Sequence, residues 1–132
     1  MFGTYQSSEL RIEVAASKQR LEELLTQPAS LKKLLWPQQL DVATNDAASM
    51  LLGQTFESSV GPVKLIHTVE FTSAVGIRFL LSGSVDGFHE WQWGDGWVQS
   101  RLEGVSLLPL KLAHTASLLR LRQLLAETDK SN

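Results

Sequence analysis

One stretch constrains the fold more than any other: residues 87 to 104, which read GFHEWQWGDGWVQSRLEG. Asp95-Gly96 suits a two-residue type I′ turn, whose central positions both need φ > 0. A hairpin closed there has a single register. Trp93 faces Val98, Trp91 faces Ser100 and His89 faces Leu102 on one side. Glu90 faces Arg101 and Gln92 faces Gln99 on the other. The aromatic face and the opposite-charge pair specify that register independently. One side of the sheet therefore belongs to a core and the other to water.

The same two-residue period appears elsewhere. Glu9 to Val14 alternates, with Leu10, Ile12 and Val14 on one face, and predicts a half-buried strand. Ser17 is a candidate N-cap for a short helix through Leu21, Leu24 and Leu25. Pro28 suits the first turn of a second helix carrying Leu31, Leu34 and Leu35, with a stop at Trp36-Pro37. Residues 38 to 54 read as a loop with a brief strand near Gln39–Val42. Thr55–Val60 is a weak strand, and Gly61-Pro62 a turn. Val63, Leu65, His67, Val69 and Phe71 share one face of the next strand, and Ile77, Phe79 and Leu81 continue it. Arg78 falls near Glu70 on the wet side. A long helix from about Leu108 to Ala126 closes the chain. Its main stripe is Leu107, Leu110, Leu118, Leu121, Leu124 and Leu125, with His114 and Ser117 inside it. A second stripe holds Leu112, Ala116 and Leu119. Residues 128 to 132 read as a frayed tail.

Composition excludes several classes. With 132 residues the chain is expected to form one domain, 1–132, large enough for a real core. A net charge of −2 argues against a general nucleic-acid binder. No cysteine is present, so disulfide scaffolds and thiolate metal sites are excluded. That fits a cytoplasmic location, as does the lack of a basic, apolar leader at the start. The most apolar window, Val105 to Leu125, contains Lys111, His114, Arg120 and Arg122 and predicts no transmembrane segment. Gly94-Asp95-Gly96 has strands on both sides, so it is no phosphate loop. Ser100 has no base at a defensible spacing. A zinc site from His67, His89 and His114 lacks a HExxH motif or a carboxylate ligand, and no metal or cofactor is expected.

The element order resembles the START-like (SRPBCC, helix-grip) superfamily. Three stretches carry the resemblance. Residues 9–14 with 21–25 and 31–37 resemble the family's opening strand and helix pair. His89-Glu90-Trp91 resembles a strand pattern of the polyketide cyclase/dehydrase-like branch. The Leu-rich final helix resembles the gripping helix. The resemblance implies an α+β fold: a curved antiparallel sheet of six to seven strands around the long C-terminal helix, with two short helices after the first strand. It further implies a cavity between sheet and helix. This is analogy of fold, which suggests a binding site before it suggests a reaction.

On that reading the cavity wall is Val69, Phe79, Leu81, Trp91, Trp93 and Leu102 from the sheet, with Leu110, Leu118 and Leu121 from the helix. His67, His89 and Ser100 would orient a polar end of the guest. The bland alternative makes these core residues, each histidine satisfied by a neighbour. His67 and His89 sit two strands apart, about 10 Å between backbones. Trp97 is expected to shield Gly94 across the turn. Three functions stay open: binding or carriage of a small apolar ligand (lipid, quinone or polyketide-like); a cyclase/dehydrase-like enzyme using a cavity histidine; or an interaction module. The second helical stripe, Leu112, Ala116 and Leu119, has three candidate covers: the loop 38–54, a homodimer or other protein partner, and transient membrane contact aided by Lys111, Arg120 and Arg122.

Overall fold

A computed structural model describes residues 3–35, 38–41 and 50–130. The expected helix stop at Trp36-Pro37 and residues 42–49 of the expected loop 38–54 lie outside those residues. In chain order the elements are β1 (Thr4–Glu13), α1 (Lys18–Thr26), α2 (Pro28–Leu34), β2 (Gln39–Asp41), β3 (Thr55–Val60), β4 (Val63–Ser73), β5 (Gly76–Gly83), β6 (Val85–Gly94), β7 (Trp97–Ser106) and α3 (Leu110–Lys130). The seven strands form one antiparallel sheet in the order β1-β7-β6-β5-β4-β3-β2. β1 and β2 occupy opposite edges, so α1 and α2 carry the chain from one edge to the other.

The tryptophan hairpin has the expected register, from Gly94↔Trp97 through Trp93↔Val98, Trp91↔Ser100 and His89↔Leu102. Gly96 has φ +83°, which only glycine adopts freely. A Cβ on Gly94 would lie 2.5 Å from the Trp97 indole nitrogen, so the ring does cover that backbone. On the outer face Glu90 stands opposite Arg101, but the ion pairs are shared differently. Arg78 reaches Glu70 at 3.3 Å and Glu90 at 3.5 Å, while Arg101 reaches Glu103 at 3.2 Å. The Arg78 guanidinium also lies 4.0 Å over the Phe88 ring.

Local chemistry accounts for the helices. Ser17 Oγ accepts from the Arg20 amide at 3.2 Å, an N-cap bond, and α1 buries Leu21, Leu24 and Leu25. Pro28 opens α2 where its missing N–H costs nothing. Gln6 fastens the start of α3 to β1. Its Nε2 donates to the Leu108 carbonyl at 2.7 Å, and its Oε1 accepts from the Leu110 amide at 3.0 Å. The Arg120 side chain donates to the Lys33 carbonyl at 3.0 Å, tying α3 to α2. Leu21, Leu25, Leu31 and Leu34 meet Ile77, Trp91, Trp93 and Val98 from the sheet and Leu110, Leu118 and Leu121 from α3 in one core.

Four boundaries differ from the sequence expectation. β1 begins at Thr4 rather than Glu9, because Gln6 and Ser8 continue the inward parity with polar side chains. A register shift between Val69 and Phe71 turns Phe71 outward, leaving it 53% exposed. Leu107 precedes α3 rather than joining its apolar stripe and is exposed. α3 continues to Lys130, past the expected end at Ala126.

Candidate ligand-binding site

Two adjoining hollows lie between the sheet and the first half of α3. The outer one, of about 290 Å³, is bounded by Ser58 and Val60 of β3, Val63 and Leu65 of β4, and Leu108, Pro109, Leu112, Ala113 and Ala116 at and before the start of α3. The inner one, of about 70 Å³, runs on to His67, Leu81, Val85, His89 and Leu102, with Leu35, Leu110 and Ser117 completing it. Gln38, Leu65, Leu108 and Ala113 border both, so the two adjoin along these residues. Alternation along the strands aims these side chains at the helix.

The sequence-expected residues divide between hollow and core. His67, Leu81, His89, Leu102 and Leu110 border the inner hollow. Val69, Phe79, Trp91, Trp93, Leu118 and Leu121 are buried in packed core and border neither hollow. Ser100 lies between two histidines rather than at a wall. The doorway residues Ser58, Val60, Val63 and Leu108 were not expected from sequence. Their signal was the continuation of the inward parity of β3 and β4 to the Gly61-Pro62 turn. Leu112 and Ala116, read as a second stripe, border the outer hollow, and Leu119 lies beyond it; all three are exposed, Leu112 at 69% and Leu119 at 58%.

The three histidines are buried and each meets a serine. His67 Nε2 is 2.9 Å from Ser58 Oγ, and its ring stacks on Phe56 with centroids 4.4 Å apart. His89 Nε2 is 3.1 Å from Ser100 Oγ. His114 bridges Ser100 and Ser8, with Nε2 and Nδ1 each 2.8 Å from a serine hydroxyl. Ser100 Oγ also donates to the Glu90 carbonyl at 2.9 Å. That hydroxyl has one proton and gives it to Glu90, so both histidines donate to it through Nε2–H. His114 Nδ1 then accepts from Ser8. His89, neutral, keeps only Nδ1 for any further partner, and there it accepts.

Burial holds all three imidazoles in the neutral form. Desolvation lowers His67 and His114 to about 4. His89 is pushed well below its ordinary value by burial first, and then by the neighbouring His114 and His67. Among the described residues no group of three or more metal-ligating side chains converges. Outside this region, Tyr5 donates a short hydrogen bond to Glu103. That bond raises the phenol and lowers the carboxyl.

An antiparallel sheet gripping a long C-terminal helix, with two short helices after the first strand, is a helix-grip α+β fold. Solved structures share it across nearly the whole chain. Protein CV1439 from Chromobacterium violaceum is 18% identical with a TM-score of 0.68, covering 90% of this chain and 96% of that one. The Aha1 dimer from Colwellia psychrerythraea is 18% identical with a TM-score of 0.64, covering 91% and 96%. A norcoclaurine synthase point mutant of Thalictrum flavum, in complex with a transition-state analogue, is 14% identical with a TM-score of 0.62, covering 98% and 99%. No protein-family model and no curated protein matches the sequence. Among the described residues no helix is long and apolar enough to cross a membrane.

Proposed function

We propose that this chain is a single ligand-binding domain that holds or carries a small apolar molecule between the sheet and α3. The observation that carries the reading is the pair of adjoining hollows, with apolar walls and two histidines at the inner end. The outer part is close to the lower limit for small-molecule pockets, roughly 300 Å³. Burial there removes apolar surface from water at roughly 25 cal/mol per Å². Lipids, quinones and polyketide-like molecules have the required chemistry. The likeness to a synthase solved with a bound analogue supports a small-molecule guest in this fold.

Two other readings draw on particular residues. A cyclase/dehydrase-like enzyme would use His67 or His89, which border the inner hollow. No described carboxylate borders either hollow to tune them, and the Ser100 hydroxyl is committed to the Glu90 carbonyl while accepting hydrogen bonds from His89 and His114, so the binding reading is favoured. A protein-interaction module would use Leu112, Ala116 and Leu119 to hold a second copy or a membrane, and one structure of this fold is a dimer. All three residues are exposed, but Leu112 and Ala116 also border the outer hollow and so are accounted for by the binding reading as well.

The test is direct. Solvent extraction of the purified protein, followed by mass spectrometry, identifies a carried molecule. Titration with lipids, quinones and aromatic polyketides measures its binding. Ala113 borders both hollows and is itself exposed, so Ala113→Phe fills the passage without disturbing the core. Binding is expected to fall at least about tenfold while the melting temperature holds. Unchanged binding in that variant would place the guest elsewhere.

A further inference from the structure

The lining of the two hollows carries no lysine, arginine, aspartate or glutamate among the described residues. The undescribed residues 36–37 and 42–49 contain no lysine, arginine or histidine, so they supply no cation either. What polarity the inner end has comes from neutral groups. Gln38 and Ser58 stand at the passage, Ser117 donates to the Ala113 carbonyl at 3.2 Å, and His67 and His89 close the end. Nε2 of His89 is committed to Ser100 as a donor. A guest that bonds to His89 must therefore bring its own proton.

Size places the parts of such a guest. The inner hollow, about 70 Å³, has room for little more than two water molecules at roughly 30 Å³ each. It takes a small polar tip and about one carbon. The outer hollow takes the apolar body. A carboxylate or phosphate tip would lose its hydration and meet only neutral groups, among them a histidine nitrogen whose lone pair repels it. An ammonium tip would find no carboxylate partner among the described lining residues. Burying either charge unpaired is far more costly than burying a hydroxyl with one bond made.

We propose that the guest is electrically neutral, with an apolar body and a hydroxyl or other proton-donating tip seated against His89, and that fatty acids and other charged amphiphiles are excluded. The proposal rests on the ligand-binding reading above. It concerns which chemistry the site admits, and binding of any neutral apolar probe tests that reading separately.

The experiment uses the unmodified chain, so no variant has to fold. Decanol, decyl methyl ether, decanoate and decylammonium are titrated by calorimetry below their aggregation limits, at about pH 7.5, where the last two are charged. Decanol is expected to bind about a hundredfold or more tighter than either ion. It should also bind roughly tenfold tighter than the ether, which has the same body but no proton to donate. Decanoate or decylammonium binding as well as decanol would overturn the neutrality, and the ether matching decanol would overturn the donor. In both cases the cavity reading would stand. Failure of all four probes to bind would remove the cavity reading and this proposal with it.

Discussion

Ser100 joins β6, β7 and α3 through a single oxygen. Its proton goes to the Glu90 carbonyl, and two imidazole N–H groups point at its lone pairs. Ser100→Ala would strand two buried donors and one acceptor at once. We expect it to lower stability by about 2–4 kcal/mol in urea denaturation. Ser8→Ala, which strands only the Nδ1 acceptor of His114, should cost about 1–2 kcal/mol. Equal costs would mean that Ser100 is no junction. The sequence exposes part of this arrangement. The turn at Asp95-Gly96 places Ser100 opposite Trp91 on the inner face, and parity along β1 places Ser8 inward with Leu10. It does not show which inward serine meets which inward histidine. That depends on how far α3 slides along the sheet, and Gln6 sets the slide by holding both Leu108 and Leu110.

At the scale of elements, the hairpin tip also serves as a clamp. Asp95 Oδ1 accepts from the Lys18 amide at 2.8 Å, the Gly96 amide donates to the Ala16 carbonyl at 2.9 Å, and the Val14 amide donates to the Gly96 carbonyl at 3.0 Å. The first amides of α1 thus have two caps, Ser17 from the chain itself and Asp95 from 77 residues away. Asp95→Ala should cost about 1–2 kcal/mol and speed hydrogen exchange at Lys18, the range expected for a lost helix cap. Asp95→Asn keeps an acceptor and should retain most of the stability. Unaltered exchange at Lys18 in the alanine variant would show the clamp to be idle. From sequence Asp95 reads only as a turn residue, since the cap is a tertiary contact. Period two predicts β4 well up to Val69 and fails at Phe71. One extra residue in a bulge reverses the parity after it, and no side chain in that stretch marks the position.

The molecule as a whole encloses its three histidines in one interior and joins two of them through a shared hydroxyl. The hollow beside them was not readable residue by residue. A void is the difference between two surfaces, and Trp91 and Trp93 read equally well as its wall or as solid core until α3 is in place. The charge consequences can still be stated for the whole fold. In the unfolded chain each imidazole titrates near 6.5, whereas in the folded chain His67 and His114 wait until about 4 and His89 is lowered further. Between those values the unfolded state holds more protons than the folded one, so stability must fall as pH falls from about 6.5 towards 4. Above 6.5 all three are neutral in both states and contribute no slope. If all three titrate only in the unfolded chain, the slope approaches about 4 kcal/mol per pH unit, a large part of a typical domain's total stability. Glu103 acts in the same direction but lower, because its depressed carboxyl withdraws stability only as pH drops below its ordinary 4.5. Urea midpoints measured from about pH 7.5 down to 5 should therefore be flat at first and then decline steeply. His67→Gln removes one imidazole that does not join the Ser100 junction, and should reduce that slope by about one proton's worth, roughly 1.4 kcal/mol per pH unit. A profile that stays level down to pH 5, or a variant with an unchanged slope, would mean that these imidazoles are reached by water and ionise where they stand.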